Sequence, residues 1–332
     1  MRQAGRYMAD FRKFSDHIPF RERSETSSIA FELSLQPWNA FRPDGVIMFS
    51  DILTPLPALG IDFDVVKGTG PVIANPIKDK ESLNSLRPLD DPQSRLPFVQ
   101  ETLQALRSEV GNQATVLGFI GTPWTLAAYA IEGKANRHCI RTKKMMMNSP
   151  DLLHAVLSHL TDALADYVCY QIESGAQVVQ LFDSWAHHLS PEQFAEFSMP
   201  YAEKIILSVK NKYPDVPLIF HANGGTGKLS QMDACTSDVL GLDWACTMEE
   251  ARSHYGKSRV LQGNVDPMVL FGSEEVIREN VTRCLQQAGK QHHILNVGHG
   301  VVQGTPEENV GYFCKLARES ATILSTPEPV VV

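Results

Sequence analysis

The first residues of the chain combine positive charge with a glycine. Arg2 and Arg6 are four residues apart, and Gln3, Ala4 and Gly5 separate them. A guanidinium group matches the two oxygens of a carboxylate, and a glycine lets the backbone approach a ligand closely. The segment could therefore form the anion-binding edge of an active site. Taken alone, such a segment is more often a solvated terminus, so this interpretation needs support from elsewhere in the sequence.

Polar residues also follow the apolar runs of the sequence, where strands are expected to end. They are Ser50-Asp51, Gly121-Thr122, Asp183-Ser184, His221, Asp243, Asn264, Asp266 and Gly298-His299. Barrel enzymes carry their active sites at the carboxyl ends of parallel strands, so these residues are expected at one end of the fold. A structural interpretation stays open for each, because an Asp or Ser after a strand often caps the next helix.

The sequence lacks the usual signatures of metal, cofactor and nucleophile chemistry. The histidine pairs His187-His188 and His292-His293 resemble no zinc or carboxylate–histidine motif. Ser184 has no GxSxG environment, no cysteine has a nucleophile signature, and no GxGxxG follows an early strand. We therefore predict no metal and no organic cofactor. What remains is a set of arginines, one strand-end Asp, a His and a Tyr.

Such a set suits a substrate that supplies its own electron sink. Arginines would hold an anionic ligand, and a lone carboxylate in a dry cleft would stabilise a cationic intermediate. Opposite charges about 4 Å apart attract by about 4 kcal/mol at an effective dielectric constant near 20. That free energy corresponds to roughly a thousandfold in rate.

Seven short apolar runs have the composition of strands that are covered on both faces. They span residues 45–50, 114–121, 176–184, 217–224, 238–244, 258–264 and 292–300. Helical periodicity and capping patterns lie between them, and such alternation favours parallel βα units. We predict a single distorted (β/α)8 TIM barrel rather than a doubly wound sheet. Because seven strands are one fewer than a closed barrel needs, the opening segment is expected to supply the first strand.

Two segments depart from this alternation. Residues 55–95 contain two short extended runs around a Gly-rich turn, which predicts an inserted hairpin. Residues 326–332 are predicted to be a mobile C-terminal tail. The catalytic domain is accordingly predicted to span residues 1–325 as one unit.

Composition limits the possible partners. The chain has 332 residues, 43% of them hydrophobic and 20% charged, which is enough apolar sequence to bury a large core. The net charge of −8 argues against nucleic acid and anionic membranes as partners. No apolar run reaches the length of about 18 residues that a membrane span needs, and no signal or transit peptide is visible. The six cysteines have no CxxC spacing, which predicts buried thiols in a reducing compartment.

Five longer stretches, taken together, carry a family resemblance. They are MRQAGRY, FSDILTPLPALG, GFIGTPWTLAAYAIEG, QLFDSWA and LNVGHG, in that order. They closely resemble the signature stretches of the uroporphyrinogen decarboxylase family, and the similarity runs from Met1 to about Ser320. ERSETSSIAFELSLQPW and GLDWACTMEEAR resemble the plant and cyanobacterial branch of that family. That branch implies the plastid stroma, or the cytoplasm in an organism without plastids.

The resemblance implies a function. Members of the family remove carbon dioxide from the four acetate side chains of uroporphyrinogen III and so form coproporphyrinogen III, an intermediate of haem and chlorophyll biosynthesis. They are distorted (β/α)8 barrels that work as homodimers without metal or organic cofactor. Protonation of a pyrrole would provide the electron sink, and a carboxylate would stabilise the resulting cation.

The resemblance also assigns roles to individual residues. Asp51 would accept hydrogen bonds from the pyrrole N–H groups, and His299 would contact a substrate carboxylate and assist proton transfer. Tyr129 and Ser184 would bind polar groups of the substrate, and Phe20 would lie against the macrocycle. Arg2, Gln3, Ala4, Gly5 and Arg6 would form the carboxylate-binding edge, with Arg2 also a candidate proton donor. Asp51, Arg2, Tyr129 and His299 are the predicted catalytic residues.

Two alternatives stay open from the sequence. One is a related barrel methyltransferase that uses zinc or a corrinoid, although no His/Cys cluster is spaced for it. The other is a porphyrinogen-binding protein without activity. The chain also departs from the family pattern, since His187 stands where the family commonly has glycine.

Overall fold

The computed structural model describes residues 3–66 and 68–325. Arg2 and the predicted mobile tail at 326–332 lie outside the described residues. Nine strands are present in the described part of the chain: β1 Gly45–Ile47, β2 Phe63–Val66, β3 Gly70–Ile73, β4 Thr115–Gly121, β5 Val178–Asp183, β6 Leu218–Ala222, β7 Val239–Gly241, β8 Val260–Val265 and β9 His293–Val297.

Seven of these strands form one parallel sheet. Its order is β1-β4-β5-β6-β7-β8-β9, so each strand pairs with its neighbour in the chain apart from the inserted hairpin. All seven apolar runs are therefore confirmed as strands of one sheet. Because the strands run in parallel, their carboxyl ends meet at the same edge of the sheet, as the prediction of a single site requires.

Helices connect the strands and pack around the sheet. They are α1 Ala9–Ser15, α2 Phe20–Glu25, α3 Ser27–Phe41, α4 Lys80–Asn84, α5 Pro92–Arg95, α6 Pro97–Val110, α7 Pro123–Glu132, α8 Ile140–Asn148, α9 Pro150–Glu173, α10 Pro191–Phe197, α11 Met199–Lys212, α12 Leu229–Met232, α13 Met248–Tyr255, α14 Glu274–Ala288, α15 Glu307–Arg318 and α16 Ser320–Ser325. The central helix α9 packs on β4 and β5 and on α6, α7 and α11. No helix in the described ranges combines the length and apolar composition that crossing a membrane requires.

The expectation that the opening segment supplies the first strand is wrong for its described residues. Ala4–Arg6 form a short 3-10 helix and α1 follows directly. The apolar residues Tyr7, Met8 and Phe11 are buried there at helical rather than alternating spacing. No pairing joins β1 to β9 among the described residues. The sheet is thus a curled, barrel-like sheet that stays open between its first and last strands.

An apolar cavity lies at this opening, which we call the seam. Its volume is about 260 Å³, and it is lined by β1 and β9 and by side chains of α3 and α15, including Trp38 and Phe313. Gln180 and Gln262 reach the cavity from inside the sheet, and the Gln262 amide donates to Gln180 at 3.4 Å. Side chains from the inside of the curled sheet therefore form part of the wall of the seam cavity.

The inserted hairpin is confirmed within residues 55–95. Strands β2 and β3 are antiparallel, with Phe63 opposite Ile73. The Ile73 N–H donates to the Gly133 carbonyl at 2.7 Å, which attaches the hairpin to the end of α7. The short helices α4 and α5 fill the rest of the insertion.

Asp183, at the end of β5, ties three elements together. Its side chain is fully buried, with 0% exposure, and accepts hydrogen bonds from the hydroxyls of Thr122 at 2.8 Å, Thr125 at 2.7 Å and Ser198. Thr122 caps α7, and Ser198 joins α10 to α11. Burial raises the pKa of Asp183, and the hydroxyl donors oppose this effect. This residue is therefore a hydrogen-bond centre of the fold.

Replacing Asp183 with alanine should destabilise the protein strongly. The change leaves the three hydroxyls without their acceptor in a dry environment, and we expect the free energy of unfolding to fall by about 2–4 kcal/mol. The matched control is Asp162→Ala on the exposed face of α9, where Asp162 forms a surface ion pair with Lys204. That control should change stability by less than about 1 kcal/mol. Urea denaturation measures both, and equal effects would contradict the assigned role.

Candidate active site

The opening segment lies against the loop that follows β9. The Arg6 guanidinium donates to the Val301 carbonyl at 2.7 Å and to the Gln3 side-chain oxygen at 3.2 Å. A Cβ atom at Gly300 would lie 2.1 Å from that same Gln3 oxygen, so a side chain there would displace the Gln3 side chain. Ala4 is buried beneath this contact. The described part of the predicted anion-binding edge, residues 3–6, thus packs against the loop that carries His299, and Arg6 is exposed.

His299 is half-buried at the end of β9, next to a close backbone contact. A Cβ atom at Gly298 would lie 2.4 Å from the Trp244 nitrogen, so the backbone of β9 touches the chain that follows β7. Burial lowers the pKa of His299, the charges of Arg6 and His187 lower it further, and Asp243 opposes them. His299 is therefore within electrostatic reach of the opening segment.

Asp51 lies in a tight turn after β1 and is half-buried. One carboxylate oxygen, Oδ1, accepts from the Leu53 N–H at 2.9 Å, while the Asp51 N–H donates to the Thr54 hydroxyl at 3.0 Å. The structural interpretation of Asp51 is thus partly correct, because the residue does stabilise a turn. Its second oxygen accepts no hydrogen bond from the described residues and is left to receive other donors.

Aromatic side chains connect the turn of Asp51 to the opening segment. The ring centroids of Phe20 and Phe49 are 5.9 Å apart, and those of Phe11 and Phe49 are 5.6 Å apart. A Cβ atom at Gly5 would lie 3.2 Å from the Phe11 ring. Phe20 and Gly5 therefore belong to one apolar wall beside Asp51.

Tyr129 lies on α7 and faces the same region. Its ring packs against Trp185 with centroids 4.5 Å apart. Burial raises the pKa of the Tyr129 phenol, and the Asp51 carboxylate raises it further. The phenol therefore stays protonated near neutral pH and remains a hydrogen-bond donor close to Asp51.

Ser184 follows β5, and its backbone carbonyl accepts from the Asn223 side-chain amide at 3.1 Å. His187 Nδ1 lies 3.2 Å from the same carbonyl. A Cβ atom at Gly224 would come within 2.8 Å of the His187 Cβ atom, so glycine is what admits this histidine. The half-buried Ser184 side chain is therefore carried on a well-anchored loop.

Ring contacts extend from Tyr129 along the loop that follows β5. Trp185, beside Tyr129, also packs on His188 at 5.2 Å, and His188 packs on His187 at 4.1 Å. The charges of His187 and Arg6 both lower the pKa of His299. No ion pair joins Asp51 to Arg6 within the described residues, so the carboxylate and the cation do not neutralise each other directly. None of these residues lines the seam cavity.

Four polar or aromatic residues of this region were not among the predicted site residues. They are Trp185, His221, Lys228 and Asp243. The sequence could have indicated His221 and Asp243 as site residues, since both belong to the polar positions at the predicted strand ends. Lys228 had no such signal, because nothing in GGTGKL indicates a lysine that is only 5% exposed. Its ammonium donates to the Gly224 carbonyl at 2.8 Å, and burial lowers its pKa.

This arrangement can bind an acidic ligand and stabilise positive charge at different points. Arg6 and the neighbouring imidazoles are suited to carboxylates, and Asp51 with its open oxygen is suited to N–H donors or a cation. Within residues 3–66 and 68–325, no three His, Cys, Asp or Glu side chains converge in a way that could hold a metal ion.

Comparisons with solved structures establish the fold. A methyltransferase from Methanosarcina mazei aligns with a TM-score of 0.78 at 22% identity, covering 92% of this chain and 90% of that one. A B12-independent methionine synthase from Shewanella sp. W3-18-1 aligns with a TM-score of 0.54 at 12% identity. At these identities the likeness concerns the fold alone, and together with the curled parallel sheet it supports the TIM-barrel class.

Comparisons with known sequences are much closer. Three proteins named uroporphyrinogen decarboxylase are similar over nearly the whole chain. The protein from Crocosphaera subtropica is 53% identical over 328 residues, covering 98% of this chain and 92% of that one. Those from Picosynechococcus sp. and Microcystis aeruginosa are 50% and 51% identical, covering 98% and 96% of this chain and 93% and 91% of theirs. The sequence profile of uroporphyrinogen decarboxylase (URO-D) matches residues 1–320, and the chain therefore belongs to that family.

Proposed function

We propose that this chain decarboxylates uroporphyrinogen III at its four acetate side chains and releases coproporphyrinogen III for tetrapyrrole biosynthesis. The relatives' printed names and the match to the family support the reaction. The observation that carries the proposal is the position of Asp51, whose second carboxylate oxygen is open and whose charge raises the pKa of Tyr129. We also retain the proposal that residues 1–325 act as one catalytic domain.

Asp51 is the proposed partner of the macrocycle. Its open oxygen would accept hydrogen bonds from pyrrole N–H groups of the substrate. Protonation of a pyrrole α-carbon makes the ring cationic, and that ring takes up the electron pair released when the C–CO2 bond breaks. A carboxylate about 4 Å from such a cation contributes about 4 kcal/mol at an effective dielectric constant near 20. Asp51 would therefore lower the barrier by stabilising a charge that the free substrate lacks.

The opening segment and His299 are the proposed carboxylate-binding edge. Arg6 carries its positive charge beside His299, with Gln3 and Gly5 holding the backbone of the segment in place. Arg2 lies outside the described residues, and its roles as a carboxylate ligand and a proton donor remain proposals from the family resemblance. A local cationic edge is needed because the net charge of −8 would otherwise repel an acidic substrate.

Tyr129, Ser184 and Phe20 are proposed to orient the macrocycle. The protonated phenol of Tyr129 can donate to the substrate near Asp51, and the Ser184 hydroxyl lies on the neighbouring loop. Phe20 belongs to the apolar wall that also contains Phe11 and Phe49. A pyrrole ring packed on that wall would keep water away from the charge that develops at Asp51.

The proposal includes a homodimer and no resident metal or organic cofactor. Several apolar side chains are exposed in the loops after β7 and β8, which suits burial against a second copy of the chain. They are Trp244, 51% exposed, Met268, 53% exposed, and Phe271, 41% exposed. The resemblance to the plant and cyanobacterial branch supports a plastid stroma location, or the cytoplasm if the source organism has no plastids.

Removing the charge of Asp51 without changing its shape tests the mechanism. We expect Asp51→Asn to lower kcat for uroporphyrinogen roughly a thousandfold, because the cationic ring loses its counter-charge. Asp62→Asn, in the exposed loop before β2, is the matched control and should leave kcat unchanged. Anaerobic turnover followed by chromatography of the oxidised porphyrins measures both variants. Full activity in Asp51→Asn would overturn the mechanism.

The pH dependence of kcat/KM tests His299. Burial and the charges of Arg6 and His187 lower its pKa, so in the free protein the imidazole is neutral at neutral pH and gains its proton only at lower pH. If the protonated ring binds a substrate carboxylate, kcat/KM rises as the pH falls towards that pKa. The rise should disappear in His299→Asn. An identical pH profile in this variant would exclude the role.

The homodimer can be tested by sedimentation equilibrium. We expect the protein to sediment at twice the mass of its chain, and we expect Trp244→Glu to weaken the association at least tenfold. Val276→Glu, at an exposed apolar position on α14, should leave the association unchanged. A monomer at micromolar concentration would contradict the proposal.

A further inference from the structure

A second polar group lies beneath His299, inside the carboxyl end of the sheet. His221 of β6 is 4% exposed, and Asp243, two residues after β7, is also 4% exposed. His221 pairs in register with Gly241, and Asp243 follows two residues later, on the same side of the chain. The His221 and His299 rings are nearly parallel, with an angle of 18° and centroids 6.5 Å apart.

The tautomer of His221 follows from its neighbour. Its Nδ1 atom lies 3.1 Å from the Gly241 carbonyl, which can only accept, so Nδ1 carries the hydrogen. Burial and the charge of His299 lower the pKa of His221 to about 4, so the ring is neutral at neutral pH. Nε2 is then an acceptor, and no described protein group donates to it.

Asp243 presents a second buried acceptor. Its Oδ1 atom accepts from the Thr226 hydroxyl at 2.5 Å and from the Ala245 N–H at 3.0 Å. Its Oδ2 atom is buried and receives no donor from the described residues. The Asn264 amide holds the backbone of this residue through its carbonyl at 2.9 Å. The carboxylate is therefore fixed in place with one oxygen unsatisfied.

Two acceptors cannot hydrogen-bond to each other, and buried polar atoms are rarely left without a partner. A water molecule is the smallest group that can donate to both. A water that donates both hydrogens can only accept from a third group. The His299 ring lies nearly parallel to His221 and is influenced by the charge of Asp243, so it can supply that donor. Two hydrogen bonds of about 2.8 Å through one water link heavy atoms that are roughly 4.5–5 Å apart. Nitrogen atoms of two imidazoles whose ring centroids are 6.5 Å apart can lie at that separation.

We propose that His221 and Asp243 hold one ordered water whose oxygen accepts a hydrogen bond from a ring nitrogen of His299, and that this water orients the ring and favours its protonated form. His221 and Asp243 are positioning residues, since they act through the water and His299. The other ring nitrogen of His299 is then directed to the cleft. The remaining charged groups that influence this cluster are Arg6 and His187, which act on His299, and Lys228, which is near Asp243.

The purpose of this arrangement rests on the proposed function. Each acetate loses carbon dioxide and gains a hydrogen, R–CH2–COO⁻ + H⁺ giving R–CH3 + CO2. One proton is thus consumed in every decarboxylation, and the site must be supplied with protons repeatedly. If the ordered water stabilises the protonated ring of His299, that ring can donate the proton to the substrate and then take up another from solvent.

The test measures the pKa of His299 by NMR of the imidazole ring, which requires no turnover. In His221→Asn the side-chain amide can still donate to the Gly241 carbonyl, but the Nε2 acceptor is lost. We expect the pKa of His299 to fall by about 0.5–1 in this variant, the equivalent of one hydrogen bond. His187→Asn is the matched control, and because it removes a ring that lowers the pKa of His299, the value should stay or rise.

A crystal structure of the wild-type protein tests for the water directly and does not depend on the folding of these variants. A water within hydrogen-bond distance of His221 Nε2, Asp243 Oδ2 and His299 supports the proposal, and a dry site or a water that does not reach His299 overturns it. An unchanged or raised pKa of His299 in His221→Asn also overturns it. The wild-type protein could also fail to decarboxylate uroporphyrinogen while the water and the pKa change are both observed. That result would contradict the proposed function and still support the water site.

Discussion

The separation of opposite charges at the carboxyl end of the sheet is the constraint on which the rest of the site depends. The Asp51 carboxylate acts on the Tyr129 phenol, and the Arg6 guanidinium acts on the His299 ring. A direct ion pair between Asp51 and Arg6 would satisfy both groups and leave neither for a ligand. In the part of the chain that the structure describes, no ion pair joins Asp51 to Arg6. Each group has a backbone contact of its own, Asp51 in the turn to Leu53 and Arg6 at the Val301 carbonyl.

Close backbone packing gives this separation its rigidity. Gly298 and Gly300 flank His299. A side chain at Gly298 would collide with the Trp244 backbone, and one at Gly300 would have to displace the Gln3 side chain. The loop after β9 is therefore clamped between the loop after β7 and the opening segment. On the opposite side, the buried Asp183 fixes the start of α7, the helix that carries Tyr129. The charged groups are thus positioned by contacts that lie outside the cleft itself.

Much of this could be predicted from the sequence, for identifiable reasons. Continuous apolar runs give strands that are covered on both faces, and all seven were found because burial on both faces leaves a strong signal. Asp51, Ser184 and His299 were expected at one end of the fold because the carboxyl ends of such strands must meet. The structure places all three after strands of the sheet, and their roles stay predictions. The opening segment was wrongly expected to be a strand because the count of strands, not the spacing of Tyr7, Met8 and Phe11, guided the prediction. The pairing of His221 with Asp243 could not be predicted, since it depends on strand register and on the tautomer that the Gly241 carbonyl selects.

A crystal structure of the protein with coproporphyrinogen bound under anaerobic conditions is the most direct test of the central claim. The account predicts that the Asp51 carboxylate lies within hydrogen-bond distance of the pyrrole nitrogens, while Arg6 and His299 face the carboxylate side chains of the ligand. A macrocycle whose nitrogens point away from Asp51, or whose carboxylates lie remote from Arg6, would contradict it.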